Sequence, residues 1–92
     1  MAALTSQEIQ QRVATMTDWQ IEGGELVRIF GFKDFVEALG FVNRVGQAAE
    51  KAGHHPDIDI RYNRVRLALI THDAGGLTEK DFDLATQANR LV

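Results

Sequence analysis

The chain has 92 residues, 45% of them apolar, enough for one domain around one modest core. Its formal net charge of -3, with Lys and Arg scattered rather than clustered, argues against direct nucleic-acid binding. It has no cysteine, which removes disulfides, thiolate nucleophiles and cysteine-ligated zinc.

Met1 to Glu8 contains neither a basic nor an apolar region, so no secretory signal is expected there. No apolar run approaches the roughly 18 residues that a membrane span requires. The expectation is a cytoplasmic protein without membrane contact, in a single domain over residues 1–92. A core this small leaves little stability to spare, which makes homo-oligomerisation a reasonable expectation.

Leu4 to Ile9 reads as a helix start, with Thr5 as N-cap, Glu8 completing a capping box and Leu4 stapled against Ile9. Val13 and Met16 continue the helical spacing, which predicts a helix over Ser6 to Met16. Trp19 to Glu22 and Glu25 to Phe32 are strand-like runs around Gly23-Gly24, the pattern of a β-hairpin. For the second strand, Leu26/Phe30/Phe32 and Val27/Ile29 are both plausible buried faces.

Asp34 to Ala52 is the strongest helical pattern, capped by Asp34, with Phe35, Ala38, Leu39, Val42, Val45, Ala49 and Ala52 as its apolar stripe. Phe41 and Ala48 lie off that stripe, so the apolar surface is broad, and either a core alone or a core plus a partner would use it. Gly53 is placed to terminate the helix. Ile58, Ile60 and Tyr62 alternate with Asp57, Asp59 and Arg61, a half-buried strand. Asn63-Arg64 is the expected turn, and Val65, Leu67, Leu69 and Thr71 share one face of the returning strand. Ala74-Gly75-Gly76 reads as a turn. Thr78 and Asp81 form a second capping box, imperfect because Asp replaces Glu or Gln, and Phe82, Ala85, Ala88 and Leu91 line the last helix. The order α-ββ-α-ββ-α favours an α+β fold, a four-stranded antiparallel sheet with helices packed on one face.

The chemistry concentrates in His54-His55-Pro56 and His72, which this topology would bring to one edge of the sheet. Imidazole has the unperturbed pKa nearest neutrality, so three together point to proton transfer or a metal. Against a metal, there is no HExxH pair, and adjacent histidines lack the i, i+4 spacing of two ligands on one helical face. Glu50 reads either as a solvated helix residue or as a carboxylate orienting an imidazole. Asp81 reads as a capping partner, and its second oxygen leaves it free to hold a histidine as well.

The chain resembles the pterin-4a-carbinolamine dehydratases. The resemblance rests on Phe30 to Phe35 leading into a helix with Gly40-Phe41, then Glu50, His54-His55-Pro56, Tyr62-Asn63, Val65, Thr71-His72, Gly76-Leu77-Thr78, Asp81 and Ala85. It covers about Leu4 to Leu91 and implies the fold just derived. It also implies elimination of water from a 4a-hydroxytetrahydropterin to give the quinonoid dihydropterin, with no metal or cofactor, in tetrahydrobiopterin recycling. His54, His55 and His72 match the family's active-site histidines, with His54 and His72 as the proton-transfer pair and His55 binding the hydroxyl. Pro56 matches a pocket wall, Thr71, Asp73 and Ala74 the loop against the pterin ring, and Asp81 the aspartate beside the histidines. Ile58 and Asp73 depart from an aromatic residue and a glutamate that are frequent in the family, which bears on substrate preference. The resemblance further implies a homodimer or homotetramer through the long helix and sheet edge. The competing readings are a non-catalytic interaction module of the same fold and an enzyme of molybdenum-cofactor metabolism acting on a related pterin.

Overall fold

The computed structural model describes residues 2–92. Its elements are α1 (Ser6–Val13), β1 (Gln20–Glu22), β2 (Glu25–Gly31), α2 (Phe35–Ala52), β3 (Asp57–Arg61), β4 (Arg64–Leu69), a 3-10 turn (His72–Ala74) and α3 (Glu79–Arg90). The strands form one antiparallel sheet in the order β1-β2-β4-β3, so each hairpin contributes one central and one edge strand. The helices lie on one face. Among the described residues, no helix is long and apolar enough to cross a membrane.

Helix α1 is shorter than the periodicity predicts. Its capping box is complete, with Thr5 Oγ1 accepting the Glu8 N–H at 3.2 Å and Glu8 Oε1 accepting the Thr5 N–H at 2.8 Å. It ends at Val13, and Met16 N–H donates to the Val13 carbonyl in the turn that follows. Gly23 and Gly24 take φ of 56° and 83°, the left-handed values that a tight hairpin demands. The second hairpin turns at Tyr62-Asn63 rather than Asn63-Arg64, because Arg61 registers with Arg64. Tyr62 leaves the strand with φ 53° and is exposed. Asn63 fastens this turn to the end of β2: its Nδ2 donates to the Phe32 carbonyl and its own carbonyl accepts the Phe32 N–H, both at 2.8 Å.

In β2, Leu26 and Phe30 face the helices, which resolves the ambiguity left by its alternation. Phe41 of α2 packs on Phe30 and Phe32, with ring centroids 4.6 and 4.9 Å apart, and Trp19 meets Phe30 edge-on at 5.9 Å. The buried stripe of α2 is therefore Ala38, Phe41, Val45 and Ala49, turned from the expected one so that Phe41 is central. Phe35, Val36 and Leu39 remain exposed at the start of the helix. Edge strand β3 is less buried than its alternation implies: Ile58 is exposed and Ile60 only half-buried, since among the described residues no further strand pairs with that edge. In α3, Leu84 joins Phe82, Ala85 and Ala88 in the core, while Leu91, expected on the helix, is the residue just past its end and packs at the core margin.

Candidate active site

The long helix delivers the histidine pair. Gly53 ends α2 with φ 65°, a conformation that costs glycine nothing and most residues about 1 kcal/mol or more. The Gly53 N–H donates to the Glu50 carbonyl and the His54 N–H to the Ala49 carbonyl, at 3.2 and 3.1 Å. The backbone of His54 is thereby fixed to the last turn of α2, just before Pro56 leads into β3.

The second wall comes from the end of β4. Thr71 and Gly76 form an isolated antiparallel bridge that closes the 3-10 turn carrying His72, Asp73 and Ala74. Leu77, 2% exposed, anchors the loop in the core, and Thr78 then caps α3. Between the walls lies an open hollow of about 260 Å³, bounded by Gly53, His54 and His55 on one side and by Ile70 to Asp73 with Lys80 on the other. All three imidazoles expected from the sequence border it. Pro56 and Ala74 are half-buried and stand outside its lining. A larger hollow of about 440 Å³, between Asp18, Glu22 and Ile29, contains no histidine.

The two neighbouring histidines meet different carboxylates. His54 Nε2 lies 2.5 Å from Oδ1 of Asp81, and the two side chains are 12% and 0% exposed. His55 Nε2 lies 2.7 Å from Oε1 of Glu50, with the pair 62% and 80% exposed. His72 is exposed on the turn. Asp81 performs both duties open to it. Its Oδ2 accepts the Thr78 N–H at 2.9 Å, completing the capping box, while Oδ1 holds the imidazole.

Thr71 turns its hydroxyl inward, donating to Asp81 Oδ2 at 2.8 Å, and its Oγ1 is also 2.8 Å from Oγ1 of Thr78. An ionised carboxylate only accepts hydrogen bonds, so His54 donates through Nε2–H and leaves Nδ1 as the unprotonated nitrogen of the neutral ring. A carboxylate in this position holds one tautomer, with the ring's lone pair on Nδ1. An imidazole held in this way can accept a proton at Nδ1. Among the described residues, no three His, Asp or Glu side chains are grouped to hold a metal ion.

Sequence reasoning did not single out Lys80 as a wall residue. Its signal was position: it stands one residue before Asp81, in the first turn of the helix that carries the carboxylate.

The family model for pterin 4 alpha carbinolamine dehydratase matches residues 2–91. The chain belongs to the pterin-4-alpha-carbinolamine dehydratase family. A relative from Acidobacterium capsulatum, provisionally named as such a dehydratase, is 58% identical over 92 residues, covering 100% of both chains. One from Chloroflexus aurantiacus with the same provisional name is 55% identical, covering 100% of this chain and 99% of its own. Among solved structures, a transcriptional coactivator/pterin dehydratase from Brucella melitensis superposes with TM-score 0.93 at 36% identity, covering 97% of each chain. A pterin dehydratase-like protein described as a RuBisCO assembly factor in the alpha-carboxysome superposes with TM-score 0.70 at 22% identity, over 83% of this chain and 90% of its own. That second likeness is one of fold. The order of elements expected of a pterin-4-alpha-carbinolamine dehydratase is the order found, with the helices on one face of the sheet.

Proposed function

We propose that the protein is a hydro-lyase that eliminates water from 4a-hydroxytetrahydropterins, in recycling of tetrahydrobiopterin in the cytoplasm. The bond between C4a and the hydroxyl oxygen breaks, and that oxygen leaves as water after taking a proton. N5 loses its proton, and its electron pair forms the N5=C4a double bond of the quinonoid dihydropterin. Electrons balance without an oxidant, so the protein has only protons to move.

The observation that carries this reading is an imidazole with one nitrogen held by a buried carboxylate, beside two further imidazoles on one hollow. His54 takes the N5 proton at Nδ1, His72 protonates the departing hydroxyl, and His55, steadied by Glu50, binds that hydroxyl. Each proton transfer is worth roughly 10²–10⁴-fold, or about 3–5 kcal/mol of barrier. The family membership supports the substrate class, and Asp73 and Lys80 are charged groups on the rim that would bear on the choice among pterin side chains.

Stopped-flow dehydration of enzymatically generated 4a-hydroxytetrahydrobiopterin, with a metal chelator present, tests the reading. Wild type should accelerate the reaction over buffer and His54→Ala and His72→Ala should lose most of that acceleration. A folded wild type no faster than buffer would overturn it.

A second reading is favoured by one feature. Phe35, Val36 and Leu39 leave an apolar strip on α2, 45%, 75% and 38% exposed. A homodimer or homotetramer through α2 and the β3 edge would cover it, and the same fold could then act as an interaction module without catalysis. Light scattering on wild type and His54→Ala separates the two: assembly unchanged in the variant while activity is lost assigns the histidines to chemistry.

A further inference from the structure

We infer that Thr78 is a positioning residue for His54, acting through the Thr71 hydroxyl and Asp81. The kinetic consequence rests on the dehydratase reading, whereas the spectroscopic one does not.

The hydrogen bonds of this cluster permit one direction only. Asp81 accepts from three sides: the His54 ring at Oδ1, and the Thr71 hydroxyl and Thr78 N–H at Oδ2. A hydroxyl has a single proton, and that of Thr71 goes to Asp81. The 2.8 Å contact between Thr71 and Thr78 must then be donated by Thr78. Thr78 Oγ1 in turn accepts the Lys80 N–H at 3.3 Å. The result is a directed chain from Thr78 to Thr71 to Asp81, meeting His54 from the other side.

All of this is out of water: Thr71, Thr78 and Asp81 are 7%, 1% and 0% exposed. A missing member is therefore not readily replaced by solvent.

Capping explains only half of what Thr78 does. An N-cap needs an oxygen that accepts, and the Lys80 N–H uses that oxygen. The proton that Thr78 gives to Thr71 goes to a residue outside the helix and contributes nothing to the cap. Its effect is on Thr71, whose hydroxyl becomes a better donor when it accepts in turn. Oδ2 is then held by two donors, the carboxylate plane is fixed, and Oδ1 is presented to His54. The imidazole keeps its proton on Nε2 and its lone pair on Nδ1. One corollary concerns substrate contact: Thr71 borders the hollow, but its hydroxyl proton is engaged with Asp81 and is not available to donate to a bound molecule.

The test uses ¹⁵N-labelled wild type, Thr78→Ser, Thr78→Val and Thr71→Val, at a pH where the His54 ring is neutral. Long-range ¹H–¹⁵N spectra report the tautomer of His54, and steady-state dehydration gives kcat and KM. Wild type and Thr78→Ser should show the Nε2–H tautomer alone. Thr78→Val and Thr71→Val should show the Nδ1–H tautomer growing in. Their kcat should fall about tenfold with KM within about threefold, the scale of one charge-assisted hydrogen bond.

Thr71→Val guards against a trivial loss of folding, since Thr71 caps nothing with its side chain. Folded valine variants that retain the wild-type tautomer would overturn the inference, as would a serine variant that behaves like valine. Should wild type prove inactive on the pterin, the spectra still decide: a changed tautomer supports the relay and an unchanged one refutes it.

Discussion

His54 and His55 are adjacent in the chain and each touches a carboxylate, yet the two pairs are physically unalike. The first is buried, at 12% and 0% exposure, and its aspartate has two further donors on the other oxygen. The second is in solvent, at 62% and 80%, between a helix surface and its own flanking loop. Exposed pairs contribute about 0–1 kcal/mol and weaken with salt. Removing one partner of a buried pair costs about 3–5 kcal/mol, because the other is left without solvent or partner. The contrast teaches that a histidine beside a carboxylate has meaning only with its burial. The inner pair sets a tautomer, whereas the outer pair is a surface contact open to water.

The sharpest way to break the contrast is at Asp81. Asp81→Ala strands the Thr71 hydroxyl, the Thr78 N–H and His54 together, and should lower unfolding free energy by about 3–5 kcal/mol in urea titration. Asp81→Asn should destabilise less, yet still remove roughly 10²–10⁴-fold of the dehydration rate. Its amide donates to Nε2, which forces the proton onto Nδ1 and abolishes the base. His54→Ala should lose activity on the same scale as Asp81→Asn, measured by stopped flow.

Smaller effects are expected at the outer pair. Glu50→Gln should change stability by less than about 1 kcal/mol, and raising the salt concentration in wild type should reproduce most of that change. The smallest effect is expected at a third ion pair, Arg12 with Glu79, which joins α1 to α3. The hydrogen bond from Arg12 holds the Glu79 carboxyl below its usual range. A carboxyl lowered by folding contributes stability above its unfolded pKa and loses it as pH falls through the folded value. The gap between wild type and Glu79→Gln in urea midpoint should therefore be present at neutral pH, close progressively below about pH 4.5, and shrink in salt.

What could be read from the chain was local. The Thr5/Glu8 box, the Asp34 cap, the Gly53 terminator and the Gly23-Gly24 turn all follow from interactions within a few residues, and all are present. The Thr78/Asp81 box closes as well, the shorter aspartate still reaching the Thr78 N–H at 2.9 Å. Errors arose where a neighbour distant in sequence decided the outcome. The buried stripe of α2 turned toward Phe41 because the sheet offered Phe30 and Phe32 there. Ile58 looked half-buried by alternation but is exposed on an edge strand with a neighbour on one side only among the described residues. Met16 kept helical spacing beyond the point where the α1 helix ended.

At the site the same division holds. By itself the sequence determined the histidine pair behind a glycine terminator, a third histidine after the next strand pair, and an aspartate in the first turn of the last helix. These are matters of residue type and short-range geometry. Only the tertiary structure decided which histidine the aspartate holds, and that the Thr71 hydroxyl reaches the same carboxylate while contacting the Thr78 hydroxyl. Those contacts join residues 27, 10 and 7 positions apart. Their strength depends on exclusion from water, and that exclusion exists only once sheet and helices have packed.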